Sequence, residues 1–203
     1  MEHITNSITI RGSLVELPLF SHENHGRQFY RFMLEVPRLS GAVDLLPVVA
    51  EESILSQIDP FAGEMLTVTG QIRSHNQRVD GIRRLMIFVF AASVIAEDGE
   101  PINEVTLGGP LCKEPTYRRT PLGREICDVM LAVPRAFRRA DYLPCILWGR
   151  TAQEVSACHT RDCIRIFGRL QSRIYTKLTE EGAEERTAYE ISALEAEILD
   201  EQI

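Results

Sequence analysis

Asn6-Ser7-Ile8-Thr9-Ile10-Arg11-Gly12-Ser13-Leu14 returns 97 residues later as Asn103-Glu104-Val105-Thr106-Leu107-Gly108-Gly109-Pro110-Leu111. Without a gap, the same spacing sets Pro18 against Pro115, Gly26-Arg27 against Gly123-Arg124, and Met33-Leu34-Glu35-Val36-Pro37-Arg38 against Met130-Leu131-Ala132-Val133-Pro134-Arg135. It then sets Asp44-Leu45-Leu46-Pro47 against Asp141-Tyr142-Leu143-Pro144. Fifteen of the forty-two positions from Asn6 to Pro47 are identical in the two copies, and most are Gly, Pro or apolar, the types that set turns and cores. A chain of 203 residues is therefore expected to hold two copies of one domain, each of roughly 100 residues and able to bury its own core. The boundaries read as 1–96 and 103–203, with a linker at 97–102 opened by the polar stretch Glu97-Asp98-Gly99-Glu100-Pro101.

Each copy reads as strands broken once by a helix. In the second, Glu104 to Leu111 alternates with period two, and Thr120-Pro121-Leu122-Gly123 is a turn because Pro presets φ and Gly accepts positive φ. Strands are expected at Ile126–Pro134, Tyr142–Gly149, Cys163–Tyr175 and Thr187–Leu199, with a helix over Arg150–Cys158 and a hairpin turn at Glu180-Glu181-Gly182. The first copy predicts strands at Ser7–Leu14, Phe29–Pro37, Leu45–Val49, Met65–Arg73 and Arg84–Ile95, with a helix at Glu51–Ile58. Gly70 and Gly168 fall at equivalent places in the fourth strand, where a missing side chain permits sharp curvature. Five strands with a helix between the third and fourth give an all-β chain of two tandem OB-folds, five-stranded Greek-key barrels whose exposed face and loops commonly hold oligonucleotides.

Several classes of protein fall away on composition. The longest nearly apolar run, Leu85 to Ala96, is far short of the ~20 residues that span a bilayer, and no signal peptide opens the chain, so a cytoplasmic protein with no membrane partner is expected. Five cysteines without a CxxC spacing argue against a disulfide scaffold. Cys158-His159 with Cys163 is the nearest approach to a metal pattern, and neither a metal nor a cofactor is expected. Asp128, Asp141 and Asp162 are dispersed, and neither a Ser/His/Asp set nor a Gly-rich phosphate loop is present, so no enzyme is expected.

The net charge of −7 hides a division. Tyr117 to Lys177 holds twelve Arg or Lys against five Asp or Glu, which leaves −14 on the rest of the chain. An acidic protein can thus still carry one basic surface for a phosphate backbone.

The second copy resembles the bacterial single-stranded DNA-binding proteins. The resemblance is carried by Asn103 to Leu111, by Pro115-Thr116-Tyr117-Arg118-Arg119-Thr120-Pro121-Leu122-Gly123, and by Leu131-Ala132-Val133-Pro134-Arg135. It continues in Asp141-Tyr142-Leu143-Pro144-Cys145-Ile146-Leu147-Trp148-Gly149 and Gly168-Arg169-Leu170-Gln171-Ser172-Arg173, in that order, and covers essentially all of 103–199. It implies binding of single strands without sequence choice, in replication, recombination or repair, with association with the nucleoid. Such binding needs rings for bases and cations for phosphates. The resemblance places the rings at Phe137, Tyr142, Trp148 and Tyr175, and around them Arg118, Arg119, Arg135, Arg138, Arg139, Arg150, Arg173 and Lys177 are the candidate phosphate or cation–π contacts. Each ring also has a structural reading: Trp148 as a barrel plug, Tyr142 as a residue packed against the helix. Tyr117 is a second-rank candidate and Tyr189 reads as structural.

The first copy departs from this pattern, carrying Ser40, Leu45 and Ala50 at the register of Phe137, Tyr142 and Trp148, and Asn76 or Gln77 near that of Tyr175. Phe20, Phe29 and Tyr30 remain, His22, His25 and His75 read as solvated loop residues, and Arg73, Arg78, Arg83 and Arg84 offer a weaker cationic track. The first domain is expected to be a degenerate OB-fold. Since family members work as four OB-folds, the resemblance implies a homodimer. The family's acidic C-terminal tip has no counterpart in Leu199-Asp200-Glu201-Gln202-Ile203, which puts recruitment of replication or repair proteins through such a tail in doubt. The competing function is an OB-fold that bridges proteins, as in a primosome, with weak or no nucleic-acid binding. Single strands of DNA and RNA offer the same phosphates and similar base faces, and nothing here marks a contact to a 2′-hydroxyl.

Overall fold

The structure, a computed structural model, describes residues 5–79, 81–179 and 182–199. Its first half holds β1 (Asn6–Leu14), β2 (Leu19–Asn24), β3 (Arg27–Pro37), β4 (Val43–Glu51), α1 (Glu52–Leu55), β5 (Met65–Val79) and β6 (Ile82–Ala96). The second holds β7 (Ile102–Pro110), β8 (Thr116–Arg119), β9 (Glu125–Arg135), a 3-10 turn at Ala136–Arg138, β10 (Arg139–Trp148), α2 (Gly149–Val155), β11 (Cys163–Thr179) and β12 (Gly182–Leu199).

Alternation along these strands sends one set of side chains inward. Ile8, Leu34, Val48 and Val68 fill the first barrel, and Leu107, Leu131, Leu147 and Ile166 the second. In the first, β1 pairs with both β3 and β5, β3 with β4, β5 with β6, and β4 runs parallel to β6. The second repeats the circuit: β7–β11, β11–β12, β12 parallel to β10, β10–β9, and a bridge from Leu111 to Leu131 that closes the ring. These are the two OB-folds expected.

The differences from expectation have physical reasons. β8 is exposed at all four residues and β2 at five of six, so neither shows the apolar alternation that marks a strand; each is an edge strand paired only to β9 or β3. α1 is a single turn and α2 stops at Val155, both shorter than the apolar spacing suggested. β11 and β12 run on beyond the barrel as a hairpin arm. Of the turn expected there, Glu180 and Glu181 lie outside the described residues and Gly182 opens β12. Gly70 and Gly168 each sit at a register shift, where a Cβ would lie 2.2 Å from the carbonyl oxygen of Phe90 or of Ser192. The neighbouring backbone leaves no room for a side chain, which is why the bulge recurs at glycine.

The two barrels share one sheet because β1 pairs antiparallel with β7. Ile8 stands opposite Val105, its own counterpart in the repeat, so a local two-fold axis passes between them. Near that axis, the Asn6 amide donates to the Ile72 carbonyl and accepts the Ile72 N–H, both at 2.8 Å, and Asn103 does the same for Leu170 at 2.7 and 3.0 Å.

A second symmetric device locks the barrels. Asp44, fully buried, accepts the Ser172 N–H at 2.7 Å and hydroxyl at 3.2 Å from the other barrel, together with Nε of Arg38 at 2.7 Å and its Nη2. Its counterpart Asp141, equally buried, accepts the Ser74 N–H at 2.6 Å, Arg73 Nη1 at 3.1 Å and Arg135 Nη1 at 3.3 Å. In return, the Ser172 hydroxyl accepts the Leu45 N–H at 3.2 Å and the Ser74 hydroxyl the Tyr142 N–H at 2.8 Å. The hydrogen bond to Asp44 holds the Arg38 guanidinium above its ordinary pKa, against a smaller opposing effect of burial. Removing one carboxylate would leave buried donors of both barrels unmet. Asp44→Ala and Asp141→Ala are each expected to cost about 3–5 kcal/mol by chemical denaturation; a loss under ~1 kcal/mol would show that the clamp does not hold the barrels together.

Candidate nucleic-acid interface

β10 separates core from surface by simple parity. Leu143, Cys145 and Leu147 point into the barrel, so Tyr142, Pro144 and Trp148 lie on the opposite, outward face. Tyr142 and Trp148 are therefore about 20 Å apart along one side of the strand. Tyr142 is 49% exposed, at the end of β10 remote from α2, so it does not pack against the helix. Trp148 is half-buried and its Nε1 donates to the Ser192 hydroxyl at 3.0 Å, which fixes the indole by one edge outside the barrel. It is not a plug.

Phe137 lies at the tip of the β9–β10 hairpin, beyond the Arg135–Arg139 pair, and is 94% exposed. Both Phe137 (φ 60°) and Arg138 (φ 56°) are left-handed, a conformation that L residues with bulky side chains seldom adopt. No core contact explains a ring held there. Tyr175, 36% exposed, stands on the β11–β12 arm with the guanidinium of Arg173 5.6 Å from its ring centre. Tyr175 and Pro144 line one groove, so the arm lies beside the outward face of β10.

The cations divide. Arg118 is at the register of Ile126 and Trp148, and so shares their face, with Nε 2.6 Å from Asp128. Arg119 falls on the other side of β8 with Tyr117, paired to Glu125 at 3.0 Å. Arg135 is committed to the Asp141 clamp. Arg138 and Arg139 are exposed beside Phe137, with no ion pair among the described residues. Arg150 is exposed just after Trp148 and bonds Glu154 at 2.8 Å; Arg173 stands 3.9 Å from Glu190. Arg173, Tyr175 and Lys177 share one side of β11 by parity. The structure thus gathers Phe137, Tyr142, Trp148, Arg138 and Arg139 along the β9–β10 hairpin, Arg118 on the edge strand β8 beside it, and Tyr175, Arg173 and Lys177 on the adjoining arm. Arg119 and Arg135 stand apart.

The first barrel differs at the same positions. Glu51, not Ala50, is the counterpart of Trp148: it pairs with Phe29 as Trp148 pairs with Ile126, whereas Ala50 points into the core. Leu45 is half-exposed where Tyr142 stands. Phe29 is buried and stacks on His22 at 4.9 Å, and Phe20 meets Tyr30 edge-on at 5.9 Å, so these rings are spent on one another. Sequence reasoning did not find Arg186, the cross-strand partner of Tyr175; alternation across the hairpin was the available signal. Among the described residues no group of His, Cys, Asp and Glu could hold a metal ion, and no helix is long and apolar enough to cross a membrane.

A sequence model of the single-strand binding protein family matches residues 102–199. Single-stranded DNA-binding protein B of Bacillus subtilis (strain 168) is 38% identical over 80 residues, which are 36% of this chain and 71% of that protein. The chain belongs to the single-strand binding protein family. Single-stranded DNA-binding protein 1 of Staphylococcus aureus (strain COL) is also 38% identical, over 81 residues; the chain spans about half its length (48%). The crystal structure of the wild-type single-stranded DNA binding protein from Thermus aquaticus superposes with a TM-score of 0.81 at 20% identity, over 99% of this chain and 96% of that one. The likeness to this family member shows that the fold of both barrels together, and not of the second alone, is shared.

The left-handed φ at an exposed Phe137 generates a test. Phe137→Gly relieves the conformation without removing buried contacts, and is expected to leave stability unchanged or raise it by up to ~1 kcal/mol in thermal denaturation. A loss of more than ~1 kcal/mol would mean that the ring packs against something.

Proposed function

We propose that the chain binds single-stranded DNA without sequence preference, the second barrel holding the strand on Phe137, Tyr142, Trp148 and Tyr175 while arginines and Lys177 meet its phosphates. One observation carries this reading: Tyr142 and Trp148 stand on the outward face of a strand whose other face is core, and an unsupported Phe137 extends their line at the hairpin tip. Rings in that setting offer stacking surface, worth ~1–3 kcal/mol per base, and neither Tyr142 nor Phe137 is buried in the core. Arg118, Arg138, Arg139, Arg150 and Arg173 are the favoured phosphate contacts; Arg119 and Arg135 are the weaker members of the set.

In this division, residues 103–203 form the binding domain and 1–96 a degenerate one joined through 97–102. The first barrel puts the carboxylate of Glu51 where the second puts an indole, which repels phosphate. Protection of exposed strands during replication, recombination or repair is the cellular role consistent with such an activity.

Trp148 is the only tryptophan, so its fluorescence reports on one site. Oligo(dT) is expected to quench it, and Trp148→Ala to weaken binding by ~1–3 kcal/mol under conditions where the variant stays folded without its bond to Ser192; unchanged affinity would take the indole off the strand's path. Two chains would give four barrels, and we expect light scattering at micromolar concentration to return twice the 23.0 kDa chain mass. A mass near one chain would exclude the homodimer.

A bridging role has one observation in its favour. Val15, Leu17, Leu19 and Phe20 are exposed on the first barrel, where the second carries Cys112, Glu114, Thr116 and Tyr117. An apolar strip at positions where the other copy carries Glu114 and Thr116 suits a protein partner. Failure of oligo(dT) to quench Trp148 would favour that reading.

A further inference from the structure

The loops that lead into β5 and β11 share one backbone and differ in chemistry. In the first barrel the Gly63 N–H donates to the Leu14 carbonyl at 2.7 Å and the Phe61 N–H to the Glu64 carboxylate at 3.2 Å. In the second the Arg161 N–H donates to the Leu111 carbonyl at 2.9 Å and the His159 N–H to the Asp162 carboxylate at 2.7 Å. Phe61 is therefore the counterpart of His159. By the 97-residue spacing, Leu17 is that of Glu114.

The second barrel closes this corner with polar groups: the Glu114 carboxylate lies 3.2 Å from His159 Nδ1 and accepts the Thr160 N–H at 3.0 Å and hydroxyl at 2.9 Å. The first leaves Leu17 56% and Phe61 62% exposed, with Val15 exposed as well. Since the Val15 N–H donates to the Met33 carbonyl at 3.0 Å, the apolar surface continues onto β3. The fold does not require apolar residues here, because its other copy does without them. Contiguous apolar surface left in water is stabilised by a partner that covers it.

The rim says which partner. Glu16 sits between Val15 and Leu17, Asp59 two residues before Phe61, and Glu35 two residues beyond Met33; the second barrel has Lys113, Ala157 and Ala132 in their places. All three acids are exposed and without an ion pair among the described residues. Against them stands Arg31, across from Leu19. We infer that this surface docks a protein segment whose apolar side chains are flanked by lysine or arginine. A second copy fits poorly, because a two-fold contact would set these acids against their own kind. The inference rests on the partner role suggested by the exposed strip. It adds to strand binding, since the β10 rings lie on the other barrel.

Two fluorescein-labelled peptides, leucines flanked on both sides by lysines and the same leucines flanked by glutamates, are titrated with the full chain and followed by anisotropy. The lysine peptide is expected to bind, less tightly as salt rises, and the glutamate peptide not to bind. Leu17→Glu with Phe61→His, the pair that the second barrel already uses, should lower affinity for the lysine peptide about tenfold. Glu16→Lys should lower it about threefold on its own, and serves if the double variant does not fold. Quenching of Trp148 by oligo(dT) should be the same in all three chains. Lysine-peptide binding that neither variant weakens would place it elsewhere on an acidic chain and overturn the inference. Binding of the glutamate peptide, lost in the double variant, would overturn the basic partner and keep the partner role. Binding of neither peptide would overturn both. A fall from two chain masses to one in the double variant would make a second copy the occupant, and would also overturn the inference.

Discussion

The buried carboxylates of Asp44 and Asp141 are the constraint on which the arrangement of this molecule depends. A carboxylate taken out of water is tolerated only when its lone pairs are met, and each of these is met by an arginine of its own barrel and a serine of the other. Separating the barrels would strip each carboxylate of its serine partner and leave two serine N–H groups without their acceptors. Together with the β1–β7 ladder, the exchange fixes the angle at which each hairpin arm crosses its neighbour. A site that draws on both halves depends on that rigidity.

Against this shared frame, the two faces have been given different chemistry. The second presents rings outward and cations near them. The first presents Leu45 and Glu51 at matched positions and turns its remaining aromatics toward one another. The difference costs the fold little, because outward positions of a barrel strand carry none of its core.

Much of this was legible in the residues. The 97-residue repeat, the alternation of β1, β3, β7 and β9, and the two fourth-strand glycines all point to paired barrels, since core periodicity and steric need for glycine are written locally. What was hidden is instructive. β2 and β8 bury almost nothing, so no alternation marks them. The counterpart of Trp148 slips by one residue when Ala50 is chosen over Glu51, and in a strand one residue is the difference between core and surface. The clamp was within reach: an aspartate kept in both copies inside an apolar strand, six residues after a kept arginine, is an expensive residue to bury without a partner. Which partner it finds depends on the other barrel, and no single copy of the repeat contains that information. The same holds for Arg119 and Arg135, whose charge is visible in sequence but whose commitments to Glu125 and Asp141 are not.

The pairing of Ile8 with Val105 carries a last consequence. Two identical subunits meeting across that axis would be bound to evolve in step, since any substitution would appear on both sides at once. Tethering the copies in one polypeptide frees them: a mutation that spoils one half is no longer duplicated in the other, and a glutamate can settle where its twin keeps an indole. Permanent fusion is thus what allows a symmetric scaffold to become a specialised, unequal pair.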